Sequence, residues 1–131
     1  IREQEHGLAT LYNDWRIFQI LHPEQRLLYE QEGSNRYRYP QGESVPDVRV
    51  RSALMVETFI REYPEKTVMC LCHHLNILVM RANLERLSEE QFLSLDGKDK
   101  PINCGVTVYR GYPELGQDGH LVLDFYNKQY Y

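Results

Sequence analysis

Thr67-Val-Met-Cys-Leu-Cys-His-His-Leu-Asn-Ile-Leu78 is an apolar run broken by two adjacent histidines. Residues 67–72 read as a buried strand, and a helix is expected from about Asn76 to Arg86. A strand that delivers a polar group just before a helix is where open α/β sheets place their chemistry. Backbone N–H groups and the dipole at a helix start attract an anion such as phosphate. A protonated imidazole at His73 would stabilise charge on a phosphoryl group in transfer. Taken by itself, His73 reads more readily as a hydrogen-bonded histidine that caps the strand.

Upstream, Leu11, Trp15, Phe18, Leu21, Leu27 and Leu28 carry helical spacing over residues 8–32, interrupted at His22-Pro23 because proline ends or kinks a helix. Gly33-Ser34-Asn35 is expected as a loop. Ser44 and Asp47 stand at capping-box spacing with Pro46 in the first turn, so a second helix begins after Ser44 and buries Val48, Met55, Val56 and Phe59. Downstream, Ser88-Glu-Glu-Gln91 is another capping box opening a short helix, and Asp96-Gly97-Lys98 turns the chain. Val106–Tyr109 and Leu121–Phe125 are strands joined by a loop over 113–119. The order of helices and strands is α/β. About three strands are few for a sheet covered by four helices, so further strands are expected before Ile1.

The 131 residues are the size of one domain. A formal charge of −4 argues against a nucleic-acid partner, since there is no bulk basic excess to release counterions. No apolar run approaches the roughly 18 residues of a membrane span, so no membrane partner is expected. Cys70 and Cys72 fall in the most apolar segment and Cys104 stands apart; they read as reduced thiols of a cytoplasmic protein. The chain opens on Ile1 and its first methionine is Met55, so it reads as a fragment of a longer polypeptide.

Three further segments join the histidine pair. Ile1-Arg-Glu-Gln-Glu-His-Gly7, Arg38-Tyr-Pro-Gln-Gly-Glu-Ser44 and Pro101-Ile-Asn-Cys-Gly-Val-Thr-Val-Tyr109, in this order around Cys72-His-His-Leu-Asn76, resemble the histidine phosphatase (phosphoglycerate mutase-like) superfamily. The resemblance is to its C-terminal portion, closest to the fructose-2,6-bisphosphatase and broad-specificity phosphatase branches. It implies an α/β, phosphoglycerate mutase-like sheet with helices on both faces and N-terminal strands missing from this chain. Residues 1–131 would then form a single partial domain, from acid motif to C-terminus.

By this resemblance His73 matches the second catalytic histidine, which binds the phosphoryl group in flight. Glu3 matches the carboxylate that protonates the leaving oxygen and then activates water; on composition alone it is a solvated terminal charge. The family's phosphohistidine forms in an Arg-His-Gly motif, which does not occur here, so the nucleophile would lie outside this chain. The implied activity is hydrolysis of a small phosphate monoester, of sugar or glycerate phosphate type, without a metal or cofactor. Phosphoglycerate mutase activity and a non-catalytic phosphate-binding module are the alternatives. Taken alone, the 131 residues are expected to be inactive, with an unpaired sheet edge open to self-association.

His74 replaces the glycine that often follows the second histidine, leaving its backbone N–H to face phosphate. Gln41 stands where the bisphosphatase branch commonly carries lysine, which speaks against a specific fructose bisphosphatase. Arg36, Tyr37 and Arg38 suit a substrate rim, since arginine grips phosphate bidentately and tyrosine packs on a sugar; solvated loop residues fit them equally. A metal at Cys70-x-Cys72-His73-His74 is disfavoured, because strand alternation sends Cys70 and Cys72 to one face and His73 to the other.

Overall fold

A computed structural model describes residues 1–112, 114 and 121–130. The chain is mixed α/β: a short 3-10 helix (Gly7–Leu11), five α-helices and a small sheet. The helices are α1 (Trp15–Leu21), α2 (Pro23–Arg36), α3 (Val45–Glu62), α4 (His74–Leu84) and α5 (Glu89–Lys98). The strands β1 (Val106–Gly111) and β2 (Leu121–Lys128) pair antiparallel, with Val108 opposite Phe125 and Tyr109 opposite Leu123. The loop expected over 113–119 lies, but for Glu114, outside the described residues.

Local chemistry accounts for most boundaries. The expected break falls at His22: Pro23 starts α2, where its missing N–H costs nothing. Where a loop is expected over 33–35, Gly33 alone is non-helical (φ +78°, ψ 161°) and kinks α2, and the helix resumes to Arg36. Both capping boxes form. The Ser44 side chain accepts from the Asp47 N–H while Asp47 accepts from the Ser44 N–H, and Ser88 and Gln91 repeat the exchange at α5. Helix α4 begins two residues earlier than expected, with His73 as its N-cap, and α5 runs through Gly97 to Lys98 instead of turning at Asp96.

The core lies where α3, α4 and α5 meet: Val45, Val48, Leu78, Val79, Ala82 and Phe92, with Leu75, Leu87 and Leu95 packed against it. A second cluster is aromatic. Phe18 and Tyr37 are fully buried within a group including Trp15, Tyr29 and Tyr39, with ring centroids 5.1–6.1 Å apart. The other apolar residues of the 8–32 stripe do not join it, and Leu11, Leu21, Leu27 and Leu28 stay exposed.

The expected strand over 67–72 differs most. It has no regular secondary structure and pairs with no strand among the described residues, and Met69 and Leu71 are 83% and 80% exposed. A strand needs a neighbour for its backbone groups, which an apolar sequence cannot supply by itself. No helix among the described residues is long and apolar enough to cross a membrane.

Candidate functional site

Two glycines let the N-terminal segment lie against the loop before α3. Gly7 has φ +50°, and a Cβ there would sit 2.0 Å from the Pro40 carbonyl oxygen; one on Gly42 would sit 2.4 Å from that of Glu5. Without side chains the two backbones close up. The Leu8 N–H donates to Pro40 O (2.9 Å), the Glu43 N–H to Glu5 O (2.8 Å), and Gln4 Nε2 to Glu43 O (2.9 Å).

Arg51, two turns into α3, then ties this pair of segments to α4. Its Nε and Nη2 fork onto Glu43 at 2.9 and 3.1 Å, Nη2 also donates to Glu3 O (3.1 Å), and Nη1 donates to Asn76 Oδ1 (3.4 Å). Burial pushes the Glu43 carboxyl up, but the Arg51 hydrogen bonds, the Glu5 N–H and the charges of Arg51 and Arg2 outweigh it. The net position is below the ordinary value. Asn76, 0% exposed in the first turn of α4, donates from Nδ2 to Arg2 O (3.0 Å) and to Glu3 Oε1 (3.4 Å).

The N-terminal segment, the Gly-Glu-Ser segment and the histidine pair are thus drawn together. Glu3 lies beside the start of α4, half-buried, and its Oε1 also accepts from the Gln4 N–H (2.9 Å). His73 is exposed with extended backbone (ψ 170°); it makes no side-chain capping bond, and its carbonyl accepts from the Ile77 N–H. His74 is the first residue of α4, so its N–H has no intrahelical acceptor, while its Nε2 sits 2.9 Å from Asp96 Oδ1 of α5. A carboxylate next to a helix N-terminus that bears an exposed imidazole can bind an anion and move a proton.

The expected rim residues are placed elsewhere. Arg36 forks onto Glu89 at 3.1 and 2.6 Å, joined by Asn35 Nδ2, and these hydrogen bonds with the Arg36 charge hold the Glu89 carboxyl down at about 2. Arg38 pairs with Asp47 of the α3 capping box. Tyr37 is 1% exposed, its hydroxyl donates to Gln25 (3.0 Å), and its ring belongs to the aromatic cluster. The structure therefore does not bring these side chains to Glu3 and His73. Tyr37, which caps the end of α2, is buried, whereas Arg36 and Arg38 on either side of it are exposed.

A cavity of about 420 Å³ lies between α2, α3 and α5, lined by Arg36, Val45, Val50, Glu89 and Phe92 among others; neither Glu3 nor His73 lines it. Cys70 and Cys72 are free and half-buried, and burial pushes both thiols up. Among the described residues no group of three or more His, Cys, Asp or Glu is placed to hold a metal ion.

Sequence reasoning missed Arg51 and Asn76. A signal for Asn76 was present: it is an amide inside the otherwise apolar stretch Leu75–Met80, where an unpaired polar group would be costly. Arg51 had no such signal, because Arg49 and Arg51 alternate with valines on a helix that has other exposed cations.

A family model described as histidine phosphatase superfamily (branch 1) matches residues 12–117. No curated protein and no solved structure matches the chain.

Proposed function

The chain belongs to the histidine phosphatase superfamily (branch 1), and on that premise we propose that it carries the acid and phosphate-binding half of a phosphatase for small phosphate monoesters. Membership supports phosphatase- or mutase-type chemistry in general. The finer reading is a C-terminal portion near the fructose-2,6-bisphosphatase and broad-specificity branches, acting on a sugar or glycerate phosphate in the cytoplasm. What carries it is the bonding of Glu3, through Asn76 and Arg51, beside the helix start that bears His73.

In this reading the His73 imidazole and the free N–H groups of the first turn of α4 hold the phosphoryl oxygens. A histidine outside this sequence attacks phosphorus: the P–N bond forms and the P–O bond to the leaving alcohol breaks. Glu3 gives its proton to that oxygen. Its carboxylate then takes a proton from water as the water oxygen bonds to phosphorus and the P–N bond breaks. In a mutase a second substrate hydroxyl would take the place of water.

The test is a titration of the chain with inorganic phosphate, followed by amide NMR, beside a p-nitrophenyl phosphate assay, each with a His73→Ala control. Phosphate is expected to move the Leu75 and Asn76 amides, and to bind about tenfold more weakly to His73→Ala. No turnover above that control is expected. Absence of phosphate-induced shifts would overturn the phosphate site. A clear rate from these residues alone would overturn the division of the site between this chain and an outside histidine.

A further inference from the structure

Asn76 is the one residue on α4 that bonds to the N-terminal segment from a fully buried position. Its Nδ2 reaches both Arg2 O at 3.0 Å and Glu3 Oε1 at 3.4 Å, while its Oδ1 accepts from Arg51 Nη1 at 3.4 Å. An amide is the side chain suited to this place, because it donates toward a carboxylate while accepting from a guanidinium. Aspartate would lose the donor, and leucine would lose both and leave the Arg2 carbonyl without this partner. Arg51 fixes the same segment from the α3 side by its bond to Glu3 O.

We infer that Asn76 is a positioning residue, which locks the Glu3 carboxylate to the first turn of α4 so that the acid and His73 are held in one rigid frame. The inference rests on the reading of Glu3 as the acid. His73 caps the helix whose first turn carries Asn76, so what ties Asn76 to Glu3 ties the acid to the backbone that bears His73. A carboxylate whose place wandered by about 1 Å would lose much of its value as a proton donor.

The experiment uses the labelled chain with Asn76→Asp and Asn76→Ser. Aspartate keeps the volume and the acceptor for Arg51; serine adds no charge and serves if aspartate fails to fold. Two readouts are taken: amide hydrogen exchange at Gln4 and Glu5, and the response of the Glu3 side-chain carboxyl resonance to inorganic phosphate. Exchange at Gln4 and Glu5 is expected to rise about tenfold, while Leu78 and Val79 in the helix core keep their protection. In the parent chain the Glu3 and Leu75 resonances should follow one phosphate-binding curve, and in the variants Leu75 should respond without Glu3.

Unchanged exchange at Gln4 and Glu5 in a folded variant would overturn the inference, and so would a uniform rise that includes Leu78 and Val79, which marks general loosening. Should phosphate move neither Glu3 nor Leu75 in the parent chain, the phosphate-site reading fails. Exchange at Gln4 and Glu5 still decides the positioning role.

Discussion

Gly7 and Gly42 face each other across the junction of the N-terminal segment and the loop before α3, and neither has room for a β-carbon. A Cβ on Gly7 would stand 2.6 Å from the Gly42 N, and one on Gly42 2.8 Å from the Gly7 N. Each clash is with backbone, which cannot swing aside as a side-chain tip can. Gly7→Ala and Gly42→Ala are therefore expected to cost about 2–4 kcal/mol each. Gly33→Ala, where φ is positive but the surroundings are open, should cost about 1 kcal/mol. Denaturant midpoints of the three variants check this, and equal losses at all three would contradict it.

The Glu43–Arg51 pair makes stability depend on pH. The folded-state position of Glu43 is below its ordinary value of 4.5. Its contribution is therefore present in full above about pH 5 and is lost as pH falls through the folded value. Glu43→Gln should be less stable near neutral pH by about 1–3 kcal/mol, with the gap closing below pH 4. A gap that widened on acidification would refute the assignment.

The β1–β2 strand pair is fastened to α4 by a polar knot. Arg81 forks onto Glu85 at 2.8 and 3.0 Å and lies 4.0 Å over the Tyr126 ring, and the Tyr109 hydroxyl donates to Glu85 at 2.5 Å. Burial first, then the bond to Glu85, pushes the Tyr109 hydroxyl upward, so it stays a donor at any working pH. Tyr109→Phe should cost about 1–2 kcal/mol and raise exchange in Val106–Gly111 more than in α4. Equal rises in both elements would show that the knot does not act locally.

Thiol chemistry separates the cysteines. Cys104 is exposed, whereas Cys70 and Cys72 are half-buried, with burial holding their thiols above the ordinary value. A disulfide reagent near pH 7.5 should label Cys104 faster than the other two, by about tenfold. The check is mass mapping of the labelled peptides, and first labelling at Cys72 would contradict it.

Capping residues and prolines were legible in the sequence, whereas the turn expected at Asp96-Gly97-Lys98 was not, since those residues lie in α5. Ser44 with Asp47 and Ser88 with Gln91 build helix starts from residues three apart, and Pro23 ends one helix as it begins the next. The pairing of 67–72 was not legible, because strand content says nothing of whether a neighbour is present. Tyr37 looked like a rim residue because it sits between arginines, yet its burial is decided by Trp15 and Tyr29 from other turns of chain. Glu3 and His73 could be matched from sequence. Their link through Asn76 and Arg51 depends on how α3 packs on α4, which no local spacing encodes.

The Asn76–Arg2 bond joins residues 74 apart in sequence and the Arg51–Glu3 bond residues 48 apart, whereas the capping boxes close within four residues. Closing a long loop costs entropy that grows only with the logarithm of its length, and the packing of α3 on α4 has already shortened the effective loop. The helices and the α3–α4 core are therefore expected to form before the N-terminal segment docks, an order that pulsed hydrogen exchange during refolding checks. By the same account that segment is the first to leave as conditions worsen. A population of molecules with intact helices and an undocked Glu3 would then pass every test of helical content.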